Sequence, residues 1–497
     1  MATTATRWGL RMLALAAGAV PALAYPAVGA WWLAWVGLVP TLLLLARAGS
    51  YREAVWRSWL AAVGFFVVVN HWVLIQLGVF AIPAGLLAGL VWIPVGLTAH
   101  GLLRRPTAAR VLLATLIVPS VWVTIEVLRS WQHLGGAWAL LGNSQWTRRS
   151  ALAVAALGGV WLLSFLLVAV NVALAAVLLR AAPNRARLVG AAAAVLLAGG
   201  NLAWGALRPE PAGVGRLRVA GVQPGVIHDE QERIEAHLRL TRELAGRADV
   251  IVWGQSSVAV DPKQDQELDG RLREAARETG ADLLINVDAG APGEITKSTY
   301  HYTGEGLIDV YDKQRLVPFG EYIPLRPILG WIADLTPAAD TDREVGDELT
   351  VFDLDGVPAG VIISYESTFP DMRRELVRTG ARVTVVQGSL TTFQNTWAHA
   401  QQASVEAIRA VESGRPAVLV QMSGTSTAFD ADGRRLAWIP PEHRGTFVVD
   451  VPLAAADTPY VRLGDWVPLL AGTVTGGTLL VAVARRLRLR PVRRNGR

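Results

Sequence analysis

Long apolar segments separated by short arginine-containing connections dominate the first 208 residues of this chain. A helix that crosses a bilayer needs roughly 20 mostly apolar residues, and the sequence predicts seven such segments there and an eighth near its end. They lie at about 10–24, 31–46, 58–77, 79–103, 111–128, 157–179, 188–207 and 466–484. Only 18% of the residues are charged, against about 25% in soluble domains, so a wholly soluble protein is excluded.

The arginines of this region predict the orientation of the spans. Residues 1–208 contain no lysine and only two acidic residues, Glu53 and Glu126. Arginines cluster after the predicted second, fourth and sixth spans, whereas the alternate connections lack them, except for the one after the fifth span. The positive-inside rule then predicts a plasma-membrane protein with both termini cytoplasmic and residues 209–465 outside. The net charge of +6 therefore reflects membrane topology, and we expect no nucleic-acid partner.

Two polar pairs within the spans are candidates for function. Glu126 and Arg129 are three residues apart, so they share one face of the fifth predicted span. An acidic residue in a span can mark a functional site, but a structural ion pair at the membrane interface explains this pair equally well. Asn70 and His71 in the third span are more typical of polar residues that pack helices together.

Residues 209–465 have a different sequence pattern, in which short apolar runs alternate with polar helical segments. The runs at 217–222, 250–253, 282–287, 361–364 and 383–386 are typical of buried strands. Helical patterns cover 229–248, 266–279, 371–379 and 398–413, and glycine-containing turns at 303–306, 355–356 and 432–433 indicate hairpins. This alternation predicts a layered α/β domain with its own core.

The composition limits the chemistry of this domain. The chain contains no cysteine, which excludes disulfides, thiolate metal sites and a thiol nucleophile. Its eight histidines are scattered without the spacing of metal ligands, and no nucleotide-binding motif is present. We therefore expect no cofactor and no metal.

Polar residues collect at three predicted strand ends, where α/β folds present reactive groups. The first is 253–257, with Gln255, and the third is 364–366, with Ser364 and Glu366. The second is the long segment 311–324, which contains Lys313 and Glu321. Each segment alone is explained by a capped turn, a hairpin or a strand end.

Taken together, the three segments resemble the nitrilase superfamily in order and spacing. With the predicted spans around them, the chain resembles the apolipoprotein N-acyltransferase family over nearly its whole length. The most specific match is 311–313 followed by 317–324, and the supporting segments are 126–129, 141–145, 424–426 and 464–466.

The resemblance implies an α-helical membrane bundle of about eight spans plus an extracytoplasmic α/β domain, a nitrilase-like αββα sandwich. We expect a membrane domain at 1–208, the nitrilase-like domain at 209–465, the eighth span at 466–484 and a basic cytoplasmic tail at 485–497.

The resemblance also implies a reaction and its partners. The family moves an acyl chain from a membrane phospholipid, the donor, to the N-terminal diacylglyceryl-cysteine of a lipoprotein, the acceptor. It uses a Glu–Lys–Cys triad, in which Glu is the base, Cys the nucleophile and Lys the oxyanion partner. Here Lys313 matches the Lys, and Glu321 and Glu366 match two further pocket carboxylates. Gln255, however, stands at the Glu position and Ser364 at the Cys position.

These two differences predict impaired or absent turnover. Glutamine cannot accept a proton at neutral pH, and the loss of a general base costs about 10²–10⁴-fold in rate. Two rescues stay open: Glu321 or Lys313 could act as the base for Ser364, the latter as in Ser–Lys hydrolases. The alternatives are a non-catalytic paralogue that binds lipoprotein or phospholipid, and an engineered inactive variant. A transporter is disfavoured, because the spans lack the paired charges of a transport path.

Overall fold

The computed structural model describes residues 4–290, 295–331 and 342–488. Contacts within the chain divide it into two units. The first unit, which is helical, comprises Met1–Leu128, Trp161–Ala203 and Asp465–Arg497. The second, an α/β unit, comprises Arg129–Val160 and Trp204–Gly464. Residues 129–160 thus pack with the α/β unit, whereas the boundaries expected at 208 and 465 stay predictions.

The α-helices are numbered along the chain. Those before the α/β region are α1 Thr4–Ala19, α2 Leu33–Val36, α3 Val39–Ala46, α4 Tyr51–Val69, α5 His71–Leu77, α6 Ala81–Gly89, α7 Ile93–Leu103, α8 Ala108–Arg129, α9 Arg149–Leu152, α10 Ala155–Leu178 and α11 Asn184–Leu207. Those that follow are α12 Glu230–Arg242, α13 Gln266–Thr279, α14 Arg326–Leu329, α15 Pro370–Arg378, α16 Ala398–Ser413, α17 Pro459–Leu463 and α18 Trp466–Arg488.

Five helices among the described residues are long and apolar enough to cross a membrane. They are Ala81–Leu103, Ala108–Arg129, Ala155–Leu178, Asn184–Leu207 and Trp466–Leu487, and they match the predicted fourth to eighth spans. The predicted third span is a pair of helices, α4 and α5, bent by 84°. The predicted second span falls in a shorter apolar helix, Leu33–Ala46, and the first in the 16 residues of α1. A membrane-helical region is confirmed, and the count of eight spans stays a prediction.

The bend in the predicted third span coincides with its two polar residues. Asn70 has non-helical backbone angles and ends α4. The Nδ1 atom of His71 lies 3.1 Å from the carbonyl oxygen of Val68, on the other side of the break. A polar ring that satisfies a carbonyl next to a helix break has a local structural use, which agrees with a packing role for this pair.

The strands of the α/β unit form two six-stranded sheets. They are β1 Gly213–Gln223, β2 Val250–Trp253, β3 Asp282–Ala289, β4 Thr296–Thr303, β5 Gly306–Asp312, β6 Val351–Leu354, β7 Val357–Ile363, β8 Val383–Gly388, β9 Ala417–Gln421, β10 Ser426–Phe429, β11 Arg435–Ile439 and β12 Gly445–Ala454. The first sheet has the order β12-β1-β2-β3-β4-β5 and the second β11-β10-β9-β8-β7-β6. The three strands β1, β2 and β3 run parallel, as do β7, β8 and β9.

Alternating side chains build three apolar layers, because successive residues of a strand point to opposite faces of the sheet. Val250 and Val252 of β2 face Val361 and Ile363 of β7 in the core between the two sheets. Ile251 and Trp253 of β2 point outwards and pack with residues of α12 and α13. On the other side, Ile362 of β7 packs with residues of α15 and α16. The unit is therefore an αββα sandwich, as expected.

Most of the predicted elements of this unit are confirmed. Strand β2 and helices α13 and α16 have the predicted bounds. The strand predicted at 361–364 is longer and ends at Ile363, so that Ser364 begins a 3₁₀ turn instead. The helix predicted at 229–248 ends earlier, at Arg242.

Buried ion pairs stabilise the α15–α16 layer. The guanidinium of Arg373 donates to Glu406 Oε2 at 2.6 Å, and both side chains are almost fully buried. One turn further along α16, Arg409 pairs with Glu412, which also accepts a hydrogen bond from the backbone N–H of Val160. Burial raises the pKa of Glu412, and Arg409 and this N–H act against the rise.

We expect Arg373→Met to destabilise the α/β unit strongly. The substitution leaves the Glu406 carboxylate buried without its partner, which costs about 3–5 kcal/mol. Urea unfolding of the detergent-solubilised protein, followed by tryptophan fluorescence, measures the loss. Arg242→Met is the matched control, because its pair with Glu278 is 2.9 Å long but about half exposed; its loss should be about 0–1 kcal/mol. Equal losses in both variants would contradict the prediction.

Candidate active site

Ser364 occupies a strained turn at the carboxyl end of β7. Its backbone φ angle is +50°, in the left-handed region that non-glycine residues rarely adopt. The residue is only 8% exposed and begins the 3₁₀ turn Ser364–Thr368. Such strain persists only where the surroundings hold the backbone in place. Glu366, two residues further on, provides that restraint.

Glu366 is a fully buried carboxylate that ties this turn to the segment after β5. Its Oε2 accepts a hydrogen bond from the backbone N–H of Ile363 at 2.8 Å. Its Oε1 accepts from the backbone N–H groups of Gln314 at 2.7 Å and Arg315 at 3.0 Å, and from the Tyr311 hydroxyl at 2.9 Å. Glu366 thereby joins the ends of two strands from opposite sheets, which fixes the positions of Ser364 and Lys313.

The electrostatics of Glu366 follow from these contacts. Burial raises its pKa above the ordinary value, whereas the charge of Lys313 and the N–H donors lower it. Because its oxygens already accept four hydrogen bonds, Glu366 holds the turn rather than exchanging protons.

Lys313 and Glu321 form a second buried contact beside the first. Lys313 follows β5 and has no exposed surface. Its ammonium donates to Glu321 Oε1 at 2.8 Å and to Oε2 at 2.9 Å. The backbone N–H of Val317 also donates to Glu321 Oε2, at 2.8 Å. The two residues predicted from the segment 311–324 are therefore in direct contact.

A second buried lysine, Lys297 of β4, lies next to this pair and was missed in the sequence. Its ammonium lies 2.5 Å from Asp288 Oδ2, 3.1 Å from Ser256 Oγ and 4.0 Å from Glu321 Oε1. Burial raises the pKa of Asp288, but the charge and hydrogen bond of Lys297 outweigh it, so the pKa is lowered. A compositional signal existed: the chain has only three lysines, and two of them are in this cluster.

Gln255 lies just beyond the carboxyl end of β2. Its backbone N–H donates to the carbonyl of Gly388, at the end of β8, at 2.9 Å. The following residue, Ser256, has a φ of +58°, and its backbone N–H donates to Asn286 Oδ1 at 2.7 Å. Gln255 is only 8% exposed, and its Oε1 has no hydrogen-bond partner among the described residues.

An amide side chain lies beside the Ser364 hydroxyl, and a second amide holds the first. Gln402 Nε2 of α16 lies 3.5 Å from Ser364 Oγ, and Gln421 Nε2 donates to Gln402 Oε1 at 2.9 Å. Among the described residues, no carboxylate, imidazole or amine forms a hydrogen bond with Ser364 Oγ. This hydroxyl therefore lacks a base in the described structure.

The five predicted site residues lie at one edge of the sandwich. Glu321 contacts Lys313 directly, and Glu366 links the segment after β5 to the turn of Ser364. Gln255 contacts Gly388 of β8, the strand next to β7. Arg129, the other sequence candidate in the α/β unit, donates to the carbonyls of Trp138 at 2.6 Å and Ala139 at 2.7 Å. This gives Arg129 a structural role in ordering the segment 129–160.

Two family models match the chain in sequence. Residues 17–173 match the apolipoprotein N-acyltransferase N-terminal domain, and residues 218–458 match the carbon-nitrogen hydrolase family. The second range covers nearly all of the αββα sandwich. The chain is thus of the class that joins a membrane-helical region to a carbon-nitrogen hydrolase domain.

Full-length relatives define the family more closely. Proteins named apolipoprotein N-acyltransferase from Azotobacter vinelandii and Pseudomonas aeruginosa are each 31% identical to this chain. The first alignment covers 96% of both chains and the second 98% of both. An amidase variant of the nitrilase superfamily from Nesterenkonia AN1 aligns in structure with a TM-score of 0.40 and 18% identity, over 52% of this chain and 95% of that chain. On the full-length sequence matches, this chain belongs to the apolipoprotein N-acyltransferase family.

We expect Glu366→Gln to destabilise the turn that carries Ser364. An amide has one acceptor oxygen in place of two, so at least one backbone N–H is left unsatisfied at a cost of about 1–3 kcal/mol. The measurement is the free energy of urea unfolding at pH 7. Glu348→Gln, at an exposed position, is the control and should change nothing measurable. A Glu366→Gln variant as stable as the native protein would show that the carboxylate does not hold this turn.

Proposed function

We propose that this chain binds the phospholipid and lipoprotein partners of its family but does not transfer the acyl chain at a useful rate. Gln255 occupies the position of the family's base and Ser364 that of its nucleophile, while Lys313, Glu321 and Glu366 retain their counterparts. The acyl donor is a membrane phospholipid, and the acceptor is a lipoprotein with a diacylated N-terminus.

The observation that carries the proposal is the surroundings of Ser364 Oγ. Among the described residues, its hydrogen-bond partner is the amide of Gln402, at 3.5 Å, and an amide cannot remove a proton. A serine hydroxyl needs an adjacent base to become a nucleophile. Without one, the family reaction stops before the acyl-enzyme forms.

The same geometry argues against the two rescues. Both oxygens of Glu321 already accept from the ammonium of Lys313, and one also accepts from the backbone of Val317. The amine nitrogen of Lys313 donates to both oxygens of Glu321, so it contacts this carboxylate rather than the Ser364 hydroxyl. We therefore favour a binding protein over a Ser–Lys acyltransferase.

The proposal includes the membrane arrangement expected from the sequence. Eight spans with both termini cytoplasmic would place the αββα sandwich outside, where lipoprotein N-termini are modified. The five long apolar helices and the bent pair α4–α5 support a multi-pass arrangement, and the arginine distribution supports its orientation.

The test of catalysis is intact mass spectrometry after incubation with phospholipid. The native protein should gain no acyl mass, whereas the Gln255→Glu, Ser364→Cys double variant should gain one. A diacylated lipopeptide should then remove that mass from the double variant. The difference in acylation rate should be at least about 10²-fold, the lower end of what a general base contributes.

The single variants complete this experiment. Ser364→Cys alone supplies a thiol without its base, and Gln255→Glu alone supplies a base without the thiol, so both should lag far behind the double variant. An acyl group on Ser364 of the native protein, discharged by the lipopeptide, would overturn the proposal. It would establish a serine-based acyltransferase.

The orientation can be tested by thiol labelling, because the native chain contains no cysteine. Thr107→Cys lies in a connection predicted to be cytoplasmic, and Glu305→Cys lies in an exposed hairpin turn of the α/β unit. A membrane-impermeant maleimide applied to intact cells should label only the Glu305→Cys variant. Labelling of the Thr107→Cys variant should appear only after permeabilisation, and the reverse pattern would refute the orientation.

A further inference from the structure

The unpaired acceptor of Gln255 indicates what kind of ligand the site takes. A buried oxygen without a hydrogen bond is unfavourable, so Gln255 Oε1 calls for a donor from outside the described residues. Gln421 adds a second such atom, since its Oε1 is also buried without a partner. The side chain of Gln421 lies against Gly388, because a Cβ placed on that glycine would be 2.6 Å from Gln421 Oε1. The carbonyl of the same glycine accepts from the backbone of Gln255.

The lysines of the site favour a ligand that offers a hydrogen-bond acceptor. The ammonium of Lys313 has three N–H groups, and the described structure uses two of them, both on Glu321. Its remaining N–H can donate to a ligand oxygen. Lys297 places a second ammonium 4.0 Å from the same Glu321 oxygen. The site thus offers a donor for a ligand oxygen, whereas its carboxylates Glu321 and Asp288 are already paired with the two lysines.

A secondary amide satisfies both requirements. Its carbonyl oxygen accepts from Lys313, its N–H donates to the neutral oxygen of Gln255, and it carries no charge. A free α-amine has a pKa of about 7.7–8.0, so at neutral pH much of it is an ammonium. That ammonium would lose its water in a buried site whose carboxylates Glu321 and Asp288 are already paired with lysines, and Gln255 offers it a dipole where a carboxylate would offer a charge.

We propose that this site binds the N-acyl amide of a lipidated peptide N-terminus in preference to the free amine. The ligand is then the chemical form that the family's reaction produces, rather than the form it consumes. This inference rests on the proposed function, because it requires a pocket that holds ligand without turning it over. Gln255 is the specificity-determining residue.

The test compares two synthetic lipopeptides that differ only in whether the N-terminal diacylglyceryl-cysteine is N-palmitoylated or free. Fluorescence anisotropy of each labelled lipopeptide, with the full-length protein in nanodiscs at pH 7, gives the two dissociation constants. The N-acylated form should bind at least about 10-fold tighter, which corresponds to 1.4 kcal/mol. Equal affinities, or tighter binding of the free amine, would overturn the inference.

Substitution and pH separate charge recognition from simple apolar binding of the extra acyl chain. Gln255→Glu should reduce the preference to about 3-fold or reverse it, because a carboxylate attracts the ammonium. Gln231→Glu, at an exposed position of α12, adds the same charge elsewhere and should leave the preference intact.

Raising the pH from 6.5 to 9 should tighten binding of the free-amine lipopeptide and leave binding of the N-acylated lipopeptide unchanged. A ratio unaffected by Gln255→Glu or by pH would overturn the inference.

Failure here is distinguishable from failure of the proposed function. If both lipopeptides bind with equal affinity, the amide preference is wrong and the proposed function stands. If neither lipopeptide binds, the proposed lipoprotein binding is wrong as well. If mass spectrometry finds an acyl group on Ser364, the proposed function is wrong, whatever the ratio of the two affinities.

Discussion

The arrangement of the candidate site depends on one buried carboxylate. Glu366 accepts hydrogen bonds from the turn after β7 and from the segment after β5, which belong to opposite sheets of the sandwich. The apolar core between the sheets fixes their separation, but apolar contacts are non-directional and cannot set the position of a hydroxyl or an ammonium. The directional bonds of Glu366 do so, and Ser364 and Lys313 take their places from it.

The charged side chains around Lys313 form a series of neighbouring ion pairs. Lys313 pairs with Glu321, Lys297 approaches the same carboxylate, and Asp288 then pairs with Lys297. Each charge has a partner of opposite sign, as low-dielectric surroundings require. Gln255 is neutral and stands outside this series, connected to it through Ser256, which contacts Lys297. The ion pairs of this series therefore do not include the side chain at position 255.

The sequence predicted the architecture well because its signals were local. The short apolar run of β2 and the helical pattern of α16 gave the bounds that the structure has, and the polar residues at strand ends, together with the family resemblance, predicted where the site lies. The segment 311–324 supplied Lys313 and Glu321 as candidates, but their direct contact was not predicted. The limits appear where tertiary contacts decide: the break at Asn70 inside an apolar run, the turn of Ser364 at the end of a predicted strand, and the docking of residues 129–160 with the α/β unit. Lys297 was missed because nothing local distinguishes a buried lysine on a polar strand from an exposed one.

The left-handed backbone at Ser364 affects which residue types this position favours. Glycine adopts such a conformation without steric cost, so a protein that needed only the turn would gain stability from losing the side chain. A hydroxyl kept at a strained position must contribute something that a bare backbone does not. Under the proposed function, that contribution is occupancy: the hydroxyl fills the place that a nucleophile would take, and so keeps the pocket in the shape its ligands recognise.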